Sequence, residues 1–137
     1  MQYWLLKSEP STYSFTQLLK DGKTNWNGVR NFQARNFLQK VAVGDRALIY
    51  HSGDDKAVVG IAKVTKGAYP DPDPKKKGDW VQIDLAPDEA LKTPVTLKTL
   101  KATASFKDLL LVRHSRLSCM PIDKKHYELI LKMGSTS

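Results

Sequence analysis

The stretch "AVVGIAKV" (Ala57–Val64) reads as a β-strand with a glycine, Gly60, set in its interior. Glycine weakens a regular strand. It is used inside one where the chain bulges or bends, as at the corners of barrels. A strand of this kind predicts a sheet that turns sharply on itself. Working outward, "RALIYH" (Arg46–His51) precedes it after a "VGD" turn, and "WVQIDL" (Trp80–Leu85) follows with Val81, Ile83 and Leu85 sharing one face. "YWLL" (Tyr3–Leu6) opens the chain as a further strand. "RLSCMPI" (Arg116–Ile122) is another, with Leu117, Cys119 and Pro121 on one face. The segment "YPDPDPKKKGD" (Tyr69–Asp79) holds three prolines and three lysines, a composition that predicts a loop between strands.

Short helices punctuate these strands. Ser14 with Gln17 forms a capping box, Tyr13 and Leu18 a hydrophobic staple, and Gly22 the stop. A second helix is expected over Asn31–Val41, where Ala34, Phe37, Leu38 and Val41 follow the i, i+3, i+4, i+7 rule. Ser105 and Asp108 open a short turn. Asp123 caps a last helix that directs Tyr127, Ile130 and Leu131 inward and stops at Gly134. Repeats and linkers are absent, so residues 1–137 form one α+β domain built around a small, strongly bent sheet or barrel.

Bulk properties narrow the function. Hydrophobic residues make up 41% and charged residues 26%, the balance of a packed domain rather than a disordered chain. Lys and Arg number 22 against 14 Asp and Glu, a net charge of +8 that favours a polyanionic partner. Nucleic acid stands ahead of an anionic membrane surface, because no basic amphipathic helix or lipidation signal is present. The single cysteine, Cys119, excludes an intrachain disulfide, and sits on an apolar strand face as a buried filler. No Cys/His set has zinc-ligand spacing, "HSGDD" (51–55) reads as a hairpin turn, and no Walker or dinucleotide loop occurs. Neither a metal nor a cofactor is therefore expected. "MQYWLLKSEP" lacks the form of a signal peptide and leaves no room for a basic nuclear-targeting tail. The expected location is a bacterial cytoplasm, or the nucleus in a eukaryotic cell.

The stretch "WNGVRNFQARNFL" (Trp26–Leu38) gathers the side chains that recognise planar, anionic ligands. Asn31 stands at the N-cap of the second helix, whose first-turn amides together with Arg30 favour an anion. Phe32, Arg35, Asn36 and Gln39 fall opposite the apolar stripe. Phe32 is then an aromatic on a wet face, either covered by a neighbouring loop or part of a binding surface. Trp26 is either a plug over the core or a stacking platform, and Gly28 marks a backbone turn.

"YWLLKSEP", "WNGVRNFQARNFL", "GDRALIYHSG", "VVGIAKVTKGAYPDP", "PVTLKTLKA" and "SRLSCMPI" together resemble the EVE domain family, which includes the thymocyte nuclear protein and its bacterial relatives. The resemblance runs from Tyr3 to about Met133, nearly the whole chain. It implies a PUA-like fold, a bent β-barrel of about five to six strands flanked by several short helices, with a pocket on one side. It also implies a binding module, not an enzyme, that accepts a modified base such as a methylated or hydroxymethylated cytosine from DNA or RNA.

A flipped base requires flat surfaces, hydrogen bonds to its edge, and positive charge for the flanking phosphates. Matching positions offer Trp26, Tyr50 and Phe32 as flat surfaces. Asn31, His51, Ser52, Ser8 and Ser118 can read the edge, and Lys7, Arg30, Arg35 and Arg116 can hold the backbone. Two of these have competing structural readings: His51 as the anchor of a backbone group, and Arg35 as the partner of Asp45. A different function class is also open. Lys7 and Glu9 of "KSEP" could serve as base and acid of a small-molecule amide hydrolase, as suspected for the related ASCH domains, although Glu9 before Pro10 also suits a surface cap.

Overall fold

The computed structural model describes residues 1–27, 29, 31–71, 79–113 and 117–134. The expectations for Gly28, Arg30 and Arg116, and for the centre of the Pro/Lys loop, lie outside these. Within the described residues six strands, β1 (Tyr3–Ser8), β2 (Thr24–Trp26), β3 (Arg46–His51), β4 (Ala57–Pro70), β5 (Val81–Thr96) and β6 (Cys119–Ile122), form one mixed sheet in the order β2-β5-β4-β3-β1-β6. Among the described residues β2 and β6 do not pair with each other, so the sheet is open rather than a closed barrel. Among the described residues five helices flank it: α1 (Phe15–Asp21), α2 (Phe32–Leu38), α3 (Leu97–Ala102), α4 (Leu110–Arg113) and α5 (Lys124–Met133), with a 3-10 turn at Ala104–Phe106. None of them is long and apolar enough to cross a membrane.

The central strands explain themselves by burial. β1 and β3 run parallel, in register from Tyr3↔Arg46 to Ser8↔His51, and lie inside the sheet. Trp4, Leu5 and Leu6, like Ala47 to Tyr50, are buried whichever way they point. A strand covered on both faces needs a continuous apolar run rather than alternation. Asp45, just before β3, is buried as well. Its carboxylate accepts from the backbone N–H groups of Gln2 and Ala42 and from the indole of Trp4, each at 3.0 Å. That set fastens the start of β1 to β3 and leaves no role for Asp45 as the partner of Arg35.

Gly60 behaves as its position predicts. Pairing of β3 with β4 shifts between Ile49↔Gly60 and Tyr50↔Val58, so Val59 is an inserted residue and the strand bends there. A Cβ on Gly60 would also overlap the ring of Phe15, so the glycine admits the first residue of α1 against the sheet. β4 and β5 extend far beyond the segments expected of them, through Tyr69 and Pro70 on one side and through Thr96 on the other. Repeated register shifts along their shared ladder accommodate Pro87. β2 covers β5 only at Ile83–Leu85, which leaves Pro87 and Pro94 on an edge where a missing N–H costs nothing.

Helix ends follow the chemistry of their caps, with three corrections. Ser14 Oγ accepts from Gln17 N at 3.0 Å, but the Gln17 side chain donates to Asp21 instead of returning to Ser14, so the capping box is half made. Gly22 closes α1 in the left-handed region, φ 75°. Asn31 caps α2, accepting from Ala34 N at 2.9 Å, although α2 stops at Leu38. Asp123 precedes α5 without a side-chain hydrogen bond. β6 begins only at Cys119, and Pro121 is exposed while Cys119, Met120 and Ile122 are buried. Burial pushes the Cys119 thiol up to about 12, which suits packing and not nucleophilic chemistry.

Candidate functional site

Where the C-terminal end of β1 meets β2 and the approach to β6, the structure leaves a cavity of about 590 Å3. Lys7, Ser8 and Glu9 line it from β1 and its exit, Thr12 and Tyr13 from the following turn, Thr24 to Asn27 and Val29 from around β2, and Ser118 from before β6. Its volume falls in the range of ordinary small-ligand sites. The walls are stiff because the strands that form them are tied together. Lys7 N donates to Ser118 O at 2.9 Å, and Ser52 N donates to Ser8 O at 2.9 Å. Ser8 Oγ donates to the carbonyl of Tyr13, fixing the turn over the cavity.

Trp26 supplies the broad apolar wall. It is 9% exposed, anchored in the core through β2 opposite Ile83, and still reaches the cavity. It is thus both the plug and the candidate platform. Around it stand hydroxyl, amide and ammonium groups. Burial holds the Lys7 ammonium below the usual lysine range, and its Nζ lies 5.9 Å from the centre of the Tyr50 ring. Glu9 sits at the rim, its carboxylate accepting from Ser11 Oγ at 3.2 Å and more weakly from Ser52 Oγ at 3.5 Å. Asn25 turns outward to the β4–β5 hairpin, donating to Tyr69 Oη at 3.0 Å, and Tyr69 in turn donates to Asp84 at 2.5 Å.

The other residues singled out in the sequence lie elsewhere. Tyr50 is buried behind Lys7, its hydroxyl pKa raised by desolvation, and does not line the cavity. His51 is 7% exposed with both ring nitrogens occupied. Nε2 accepts from Phe15 N at 3.0 Å, and Nδ1 faces Asp55 at 3.1 Å. Ser52 braces Ser8 and Glu9 from outside the lining. Asn31 is exposed, its side-chain oxygen used as the helix cap. Phe32 and Arg35 lie on α2 and are not part of the lining, with Phe32 stacked on Trp80. Sequence reasoning missed Thr12, Tyr13, Thr24, Asn25, Asn27 and Val29. The signal for several of them was proximity to Trp26 within "KTNWNGV". Among the described residues no group of three or more His, Cys, Asp or Glu side chains converges as a metal ion would require.

Residues 2–133 match the EVE domain. Mouse thymocyte nuclear protein 1 is 33% identical over 98% of this chain and 74% of its own length, and the human protein is 32% identical over 96% and 73%. Among solved structures, a protein from Agrobacterium tumefaciens superposes with a TM-score of 0.93 at 34% identity, covering 98% of this chain and 94% of the other. A protein from Rhodopseudomonas palustris gives 0.90 at 43% identity, covering 98% and 93%. Human thymocyte nuclear protein 1 in complex with DNA containing 5-methylcytosine gives 0.91 at 29% identity, covering 100% and 99%. With a family match over residues 2–133 and relatives 33% and 43% identical over 98% of its length, the chain belongs to the EVE domain family.

Proposed function

We propose that this EVE domain is a non-catalytic nucleic-acid-binding module that takes a modified base, turned out of its strand, into the cavity beside Trp26. The observation that carries this reading is the cavity itself: a stiff recess of about 590 Å3 with one aromatic wall and a ring of small polar groups. Such a site suits a flat heterocycle with a hydrogen-bonding edge. The complex of the human relative with 5-methylcytosine DNA supports the same ligand class. Trp26 stacks on the base. Ser8 and Ser118 face its edge, and Lys7 meets the adjoining phosphate. Tyr50, His51 and Ser52 act one layer back, holding Lys7, the start of α1 and Glu9 in place.

The test is fluorescence-detected binding to short single-stranded DNA and RNA that differ in one cytosine or adenine, unmodified, methylated or hydroxymethylated. Preference for one modified base that survives high salt is expected. Trp26→Ala should lower the affinity for it by roughly tenfold to a hundredfold, the effect of losing one base stack. Trp26→Phe, which keeps an aromatic wall, should retain most of it. Equal binding by Trp26→Ala would remove Trp26 from the site.

One observation favours a second reading. Lys7, shifted down by burial, and Glu9 line the same cavity, as the acid–base pair of a hydrolase would. Turnover of acylated nucleosides that disappears in Lys7→Ala would place that activity above binding.

A further inference from the structure

Phe32 is 57% exposed and is the one aromatic among the exposed large hydrophobic side chains of the described residues. Its ring stacks on that of Trp80, centroids 5.0 Å apart and planes 29° apart. Trp80 is only 5% exposed and closes the β4–β5 hairpin, its carbonyl accepting from Asp71 N at 2.9 Å. One turn along α2, the Arg35 guanidinium carbon lies 5.0 Å from the centre of the Phe32 ring and 5.9 Å from that of Trp80. Arg35 donates twice to Asn36 Oδ1, from Nε at 3.3 Å and Nη2 at 3.0 Å, and forms no ion pair with a carboxylate among the described residues. An exposed ring, supported from beneath by a buried one and flanked by a cation, is a preorganised surface that combines stacking with charge.

From these contacts we infer that Phe32 and Arg35 form a second nucleic-acid subsite outside the cavity, Phe32 stacking on a base that flanks the extruded one and Arg35 binding its phosphate. Two observations choose this occupant over a protein or a lipid. The site joins an aromatic face to a guanidinium that has no carboxylate partner among the described residues, on a chain of net charge +8, which complements a polyanion that also carries flat rings. It is also close to the cavity along the chain. Val29 lines that cavity and Phe32 lies three residues on, so their Cα atoms are at most about 11 Å apart. Bases in a stacked strand follow one another at about 3.4 Å, so a span of about 11 Å corresponds to about three nucleotides. The inference extends the pocket reading to the neighbouring nucleotides and does not require the extruded base to be modified.

The experiment is a cycle between protein and ligand. Wild type, Phe32→Ala, Phe32→Leu and Arg35→Gln are titrated with a short single-stranded DNA holding one central cytosine or 5-methylcytosine. The same strand is also used with an abasic unit at each of the three positions on either side. Melting temperatures establish that each variant is folded, and Phe32→Leu keeps an apolar cover over Trp80 while removing the flat face. The expected result is a loss on the order of tenfold for Phe32→Ala and a similar loss for Phe32→Leu, both vanishing when one particular flanking base is absent. Arg35→Gln should weaken binding and flatten its salt dependence. Unchanged affinity of Phe32→Ala would overturn the inference, as would a loss independent of every abasic position, which marks a purely structural role. Failure to distinguish methylated from unmethylated strands would count against the pocket alone, because the flank-dependent effect of Phe32 is read on both. Absence of binding to any strand would sink the two together.

Discussion

The imidazole of His51 takes the backbone N–H of Phe15 on Nε2, which fixes its proton on Nδ1, where Asp55 accepts it at 3.1 Å. In the sequence "YHS" is a polar cluster at a strand end, and nothing local separates an edge reader from a structural histidine. The deciding partner lies 36 residues away. His51→Ala is expected to leave the buried Phe15 N–H without an acceptor and to destabilise the fold by about 1–3 kcal/mol. Urea unfolding measures that loss. The ratio of affinities for modified and unmodified strands, measured at a temperature where the variant is folded, should stay that of the wild type. Loss of that ratio with stability intact would return His51 to the base edge. Asp45 teaches the same lesson at one residue's remove. Its charge invited a pairing with Arg35, whereas its three actual donors include two backbone groups that no side-chain inventory contains.

Elements were legible where a local pattern decides them and obscure where tertiary pairing does. β3 and the capping of α1 and α2 follow from composition and cap residues, and the bend at Gly60 follows from a glycine inside an apolar run. The sequence pattern ends this strand, β5, at Leu85, because "APDEALKTPVT" holds two prolines and three charges, features that usually end a strand. It continues because one side is an open edge and the other follows β4 through several register shifts. β2 escaped notice for a related reason. Three residues have no period of their own, and only their ladder with Ile83–Leu85 makes them a strand. The bend itself can be tested. Gly60→Ala places a methyl group in the ring of Phe15 and should cost about 1–3 kcal/mol by overpacking. Phe15→Leu in the same chain should recover part of that loss in thermal unfolding. A Gly60→Ala protein as stable as wild type would mean that α1 has room to shift and that the glycine serves the bulge alone.

At the scale of the whole molecule, charge was readable and shape was not. The +8 excess predicts a polyanionic partner from composition alone. The cavity is assembled from β1, the turn after it, β2 and the residue before β6, segments brought together only by tertiary pairing, β1 with β3 and β6 and β2 with β5. Charge and cavity make separable contributions to binding, and salt separates them. Each phosphate neutralised on a single strand contributes about 0.7 to the slope of log affinity against log salt. Lys7→Gln and Arg35→Gln should therefore each flatten that slope by about 0.7 while lowering affinity for all strands. Trp26→Ala should leave the slope unchanged and lower affinity, most of all for the modified strand. In the wild type the preference for the modified base should be nearly independent of salt, because stacking and edge contacts inside a stiff recess release no counterions. A preference that fades as salt rises would assign recognition to the basic surface. The agreement between cavity and charge would then reflect two unrelated properties of the domain.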